Sequence, residues 1–124
     1  MPKTIKITAG QTRVEAELND GPTAKSIAEA LPIKAKGRRW GGEIYFSIPV
    51  VAKLEDGCRE VLKEGELGYW PSGNAFCIFF GPTPASEGDE IRAASAVNII
   101  GEMKGDWSEL WNVPGGADVH IEAN

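Results

Sequence analysis

Few residues in this chain are of a type that does chemistry unaided. There is one histidine, His120, and there are two cysteines, Cys58 and Cys77. On a strand, Asp118 and Glu122 would share a face with His120, while Val119 and Ile121 point the other way. That grouping outlines a proton-transfer site, although a solvent-facing imidazole is the simpler reading. The cysteines form no CxxC pair, and together with one histidine they supply no set with zinc-ligand spacing. Cys77 sits inside the apolar run AFCIFF and reads as packing. No GxGxxG, Walker loop or zincin pattern occurs. Ser86 and His120 do not make a triad without a geometry to join them. No cofactor and no metal is expected, and the sequence alone does not decide whether the chain is an enzyme.

Aromatic residues offer more. Trp40, Tyr45, Tyr69, Trp70 and Phe79 can wall a pocket, with Glu43 to orient a donor and Thr83 to add a local hydrogen bond. An apolar cleft with a few directed polar groups is how small ligands are commonly held. A ligand would have to match Glu43 and Thr83, because a buried polar atom without a partner is expensive. The plainer alternative is that the tyrosine hydroxyls reach water, the tryptophans cover the core and Glu43 stays hydrated.

The whole chain narrows the choice of partners. With 13 basic and 18 acidic residues, its formal net charge is −5. That sign opposes nonspecific contact with a phosphate backbone, so no nucleic acid is expected. Lys34, Lys36, Arg38 and Arg39 form one local basic group, read as a hydrated loop or as a contact for an anion. Apolar runs are too short to span a membrane, and no charged-then-apolar leader opens the sequence. A reducing, cytoplasmic setting follows as an expectation. At 124 residues the chain reads as one domain over 1–124, long enough to bury a core without metals or disulfides.

The elements that would position a site are mostly strands. KTIKIT and RVEAEL alternate and are separated by Gly10–Gln11, which suggests a hairpin. Asn19–Asp20–Gly21–Pro22 ends it, and Thr23 is placed to cap a short helix through Ala30, stopped by Pro32. IKAKGRRWGG reads as a loop leading into EIYFSIPV, whose Ile44, Phe46 and Ile48 should enter the core, with Glu43, Tyr45 and Ser47 opposite. EVLK is a weaker strand. Pro71–Ser72–Gly73–Asn74 divides two further strands. The second has apolar residues on both faces, Phe76, Ile78 and Phe80 against Cys77 and Phe79, and must be covered on both sides. Residues 91–104 and ADVHIEAN supply the last strands. Between them Asp106 and Glu109 have capping-box spacing for one helical turn, which would lay Trp107, Leu110 and Trp111 over the mouth of a barrel. Many short strands favour a closed barrel, with a sandwich as the rival.

Several segments together resemble the small microbial cyclophilin-like proteins over roughly residues 4–103: DGPTA at 20–24, ALP at 30–32, WGGEIYFSIP at 40–49, GELGYWPSG at 65–73, FFGPTPAS at 79–86 and VNIIG at 97–101. The resemblance implies a mostly β fold, a closed cyclophilin-like β barrel with one or two short helices. Cyclophilins proper use an arginine and a glutamine beside an apolar proline pocket. The FHR-type and FMxQGGD-type sequences that carry those residues are absent here, so Arg38, Arg39 and Gln11 do not inherit their roles. Glu66 stands where the group's pattern has an aspartate, which moves that carboxylate outward. Three functions fit the sequence: binding of a peptide or small organic ligand at the aromatic residues, peptidyl-prolyl isomerisation, and a structural role in which exposed aromatics join copies of the chain.

Overall fold

The computed structural model describes residues 3–124. Strands β1 (Lys3–Ala9) and β2 (Thr12–Leu18) pair as the expected hairpin, with Ile5, Ile7, Val14, Ala16 and Leu18 turned inward by the period-two alternation. Helix α1 (Pro22–Ala30) follows, then β3 (Ile33–Lys36), β4 (Arg38–Arg39) and β5 (Glu43–Ser47). Next come β6 (Arg59–Leu62), β7 (Glu66–Trp70) and β8 (Ala75–Phe79), and finally the long β9 (Ile91–Lys104) and β10 (Asp118–Ala123). Their antiparallel ladders run in the order β3-β10-β1-β2-β9-β7-β8-β5-β4, with β6 added on β9.

That path has two ends, so its ladders do not form the closed barrel expected from the sequence. The reason lies in the segment read as a loop. Residues 33–39 are extended, but the first half pairs with β10 and the second with β5. The change of partner falls at Gly37, whose N–H donates to Ala117 O at 2.8 Å and whose carbonyl accepts from Gly116 N–H at 2.7 Å. The two end strands are thus consecutive in the chain without being laddered to one another. Mostly β with one α-helix remains the architecture, and no described helix is long and apolar enough to cross a membrane.

Both helix caps differ from expectation. Gly21, which has no side chain to cap with, is the N-cap of α1, with Pro22 in its first turn. Thr23 lies inside the helix, buried, where its hydroxyl and its N–H both donate to Glu55 Oε2. The second helical piece is a 3-10 turn at Ser108–Asn112. Asp106 Oδ1 accepts from Ser108 N–H at 2.9 Å, but Glu109 bonds forward to Asn112 and closes no capping box.

Two apolar clusters hold the sheet. The larger lies on one face of it and includes Ile5, Ile7, Ile44, Phe46, Leu67, Tyr69, Phe76 and Ile100 together with Ala24 and Ile27 of α1. The smaller lies on the other face of β7, β8 and β5 and comprises Leu62, Ala75, Cys77, Phe79, Ile91, Ala93 and Val97. Every residue of β8 is buried, as its two apolar faces require. Strand β9 serves both clusters, pairing with β2 and β7 through its C-terminal half and with β6 through its N-terminal half.

One buried polar network ties helix, loop and sheet together. Asn98, only 1% exposed, donates from Nδ2 to Thr23 Oγ1 at 3.0 Å and Lys53 O at 2.9 Å, and accepts from Glu55 N–H at 2.7 Å. Replacing it by alanine removes the partner of Lys53 O and of the Glu55 N–H, and takes one of two bonds from the Thr23 hydroxyl, which keeps Glu55. Asn98→Ala should therefore lower the unfolding free energy by about 3 kcal/mol. Urea titration checks this; a loss below about 1 kcal/mol would mean that the network carries little.

Candidate functional site

Strand β5 has two faces. Ile44 and Phe46 enter the larger core, so Glu43 and Tyr45 must project on the opposite side. The register with β8 sets Glu43 across from Phe79 and Tyr45 across from Cys77. Strand β7 then places Trp70 across from Ala75. Trp40 is brought back by the turn that precedes β5, in which its N–H donates to Glu43 O at 2.9 Å. Gly42 lets that turn lie flat on the chain after β8: its carbonyl accepts from Phe80 N–H at 2.8 Å and Gly81 N–H at 3.0 Å. A Cβ on Gly42 would stand 2.3–2.5 Å from Gly81 backbone atoms, a collision that no side-chain movement relieves. The sequence segments WGGE and FFGP are thereby fastened together.

On the outward face of β5, β7 and β8 opens a hollow of about 90 Å³. Trp40, Tyr45 and Trp70 form aromatic walls, Glu43 and Cys77 are its polar groups, and Ala93, Ala94 and Val97 of β9 complete it. The hollow thus unites Trp40, Glu43, Tyr45 and Trp70 of the expected pocket. Phe79 is buried behind it in the smaller cluster, paired with Glu43 but not lining the hollow. Thr83 is buried in the following loop, where its hydroxyl donates to Arg92 O and its N–H to Ser86 Oγ at 2.9 Å, which makes it a loop fastener. Tyr69 is on the other face altogether, 0% exposed in the larger core, with its hydroxyl donating to Val50 O at 2.6 Å. Cys77 and the β9 residues were not anticipated. Alternation along AFCIFF could have paired Cys77 with Phe79 on the hollow's face, but nothing local shows that β9 folds across it.

Charge sets the chemistry. Glu43 is 5% exposed, and burial raises its carboxyl from the usual carboxylate range to about 7, against a smaller opposing effect from its hydrogen bond with the Cys77 thiol. Burial first, and then the charge of Glu43, push Cys77 well above the ordinary thiol range. The thiol is therefore neutral and a poor nucleophile. Trp70 Nε1–H is already committed to Ser95 Oγ at 2.6 Å. What faces the hollow is a carboxyl group balanced between its two protonation states near neutrality, set among ring faces. Such a group donates or accepts a hydrogen bond as its ligand requires, and its affinity for a proton is the kind matched to acid–base work at pH 7.

Beyond the mouth, Tyr45 and Trp70 also border a larger groove of about 570 Å³ with Lys36, Arg38 and Ser47 on its sides. His120 lies on β10 opposite Thr8 and Lys34 and takes no part in the hollow. Among the described residues no group of three or more histidines, cysteines or acids is gathered to hold a metal.

A family model described as Cyclophilin-like matches residues 3–122. The solution structure of a hypothetical protein from Archaeoglobus fulgidus is similar at a TM-score of 0.85 and 39% identity, over 99% of this chain and 95% of that one. No curated protein matches the chain significantly.

The position of Glu43 has a consequence for stability. Its folded carboxyl, at about 7, holds a proton that the unfolded chain releases at 4.5. Folding is penalised as pH rises through that window, and the penalty is complete above about 7. A shift of this size corresponds to about 3 kcal/mol. Glu43→Gln should match the parent's stability near pH 4.5 and exceed it by up to about that amount at pH 8. Parallel urea titrations across pH measure the difference; a constant offset between the two proteins would contradict the assignment.

Proposed function

The chain belongs to the cyclophilin-like family, and from that premise we propose that it binds, noncovalently, a peptide or small organic ligand that inserts one end group between Trp40, Tyr45 and Trp70 and hydrogen-bonds Glu43. The observation that carries this reading is the carboxyl of Glu43, 5% exposed in an aromatic hollow beside Cys77, whose thiol donates to Ala75 O at 3.8 Å. Burial of an acid in that manner destabilises the fold, and a ligand N–H or O–H repays it.

Size favours an extended ligand over a compact one. A dry cavity of roughly 150 Å³ admits benzene, so a hollow of about 90 Å³ takes a group the size of a short side chain. The remainder would lie across Tyr45 and Trp70 into the groove that Lys36 and Arg38 flank, where an acidic or carbonyl-rich chain is favoured. In this reading the sheet, tethered at Gly37, acts as the barrel wall behind the hollow. Isomerisation is the weaker reading, because the polar groups at the hollow are a carboxyl and a thiol rather than an arginine and a glutamine.

An NMR titration with short peptides and aromatic amides tests the proposal. Saturable shifts should gather at residues 40–45, 70, 77 and 93–97, and Glu43→Ala, which removes the acceptor, should weaken binding by about tenfold, the loss of one good buried hydrogen bond. A panel that leaves those residues unmoved would overturn it.

A further inference from the structure

A separate concavity, of about 360 Å³, lies at the 3-10 turn and shares no lining residue with the hollow at Glu43 or the groove beside it. Trp107 and Trp111 stand around it, buried Phe80 forms part of its base, and Glu64 and Asp106 border it. Trp111 is 49% exposed, a large apolar surface to leave in water.

Both indoles are seated deliberately. A Cβ at Gly65 would stand 2.9 Å from Trp107 Cη2 and Cζ2, and one at Gly81 would stand 2.2 Å from Trp111 Cζ2. Glycine at these two positions is what lets the rings rest on the backbone. Trp107 is fixed further by its indole N–H, which donates to Glu64 Oε2 at 3.2 Å. Phe80 meets Trp111 edge to face, with ring centroids 4.9 Å apart and planes at 85°. The result is a corner of aromatic walls whose orientation is set before anything enters.

The groups that line that corner are electron-rich. Ring faces carry the negative lobe of the aromatic quadrupole, and the two carboxylates are acceptors. Asp106 is held below the ordinary carboxylate range by its bonds to Ser108, so it is charged at neutral pH. The protein already uses these rings for a cation of its own: the Arg39 guanidinium carbon lies 5.2 Å from the Phe80 centroid and 5.7 Å from that of Trp111. Arg39 is bound to the carbonyls of Gly41, Trp111 and Val113 and does not line the concavity. Two acidic residues, Glu64 and Asp106, border the concavity and no basic residue lines it.

We propose that this corner is a second binding site, taking a methylated ammonium group against Trp107, Trp111 and Phe80, with Glu64 and Asp106 supplying the counter-charge. A methylated ammonium is large, weakly hydrated and positive, which suits it to aromatic walls bordered by carboxylates. A plain metal cation would keep its water and gain nothing from the rings. A neutral group of the same shape would gain only the apolar contact.

The test is a titration with tetramethylammonium and with choline at constant ionic strength, following the indole N–H signals of Trp107 and Trp111. The neutral choline analogue 3,3-dimethylbutanol is the control. Both cations should give saturable shifts at these two signals, and the alcohol should not. The double variant Glu64→Gln, Asp106→Asn keeps the oxygen acceptors for the Trp107 indole and the Ser108 N–H but removes both charges; it should weaken cation binding by about tenfold with the free-state spectrum preserved. Trp111→Ala should abolish the response. A peptide bearing trimethyllysine distinguishes the sources: tighter binding than tetramethylammonium at the same signals assigns a modified side chain as ligand, and equal or weaker binding assigns a free cation. Equal response to the alcohol, an unaffected double variant, or no saturable shift at either indole would overturn the proposal.

Discussion

A strand that is apolar on both faces must be covered on both, and β8 imposes that demand on the whole molecule. Its inward residues, Phe76 and Ile78, join the larger core. Its outward residues, Cys77 and Phe79, need a second cover, which β6 and the first half of β9 provide through Leu62, Ile91, Ala93 and Val97. The cover is small, and beside it the outward face of β5 carries a glutamate where an apolar residue would have completed the packing. The candidate site is the gap that this leaves. Sheet order and site position are in that sense one fact.

Two buried polar groups in this protein are treated in contrasting ways. Asn98 is satisfied on every side, by Thr23, Lys53 and Glu55, and holds three separate segments in register. Glu43 is nearly as deeply buried but meets a thiol, with aromatic rings around it. Networks with every member paired add rigidity and specify the fold. A carboxyl kept out of water without such pairing destabilises the folded chain, and such features gather where a protein meets something else.

Much of the fold was legible because alternation is a local signal. The β1–β2 hairpin, the two-faced β8 and the inward residues of β5 all follow from period-two patterns. The segment 33–39 was not, since the change of strand partner at Gly37 depends on β10, more than 80 residues further along the chain. Thr23 shows a related limit: its residue type and place suit a helix cap, but a glutamate 32 residues away takes its hydroxyl. At the site, Trp40, Glu43, Tyr45 and Trp70 could be named from residue type and face alone. Tyr69 was misplaced because aromatic character does not say which side of the sheet a ring is on, and Phe79 and Thr83 because adjacency in sequence does not create a shared opening. Ala93, Ala94 and Val97 carry no chemical signal and reach the hollow only through the long-range pairing of β9.

The site depends on a single desolvated acid, Glu43. Direct observation of the Glu43 side-chain carboxyl carbon by NMR as pH is varied reads its ionisation without reference to any ligand. A midpoint near 7 is the expected result, with the resonance of Cys77 moving in step. A midpoint at the ordinary carboxylate value would place the carboxyl in water and remove the physical basis of the site.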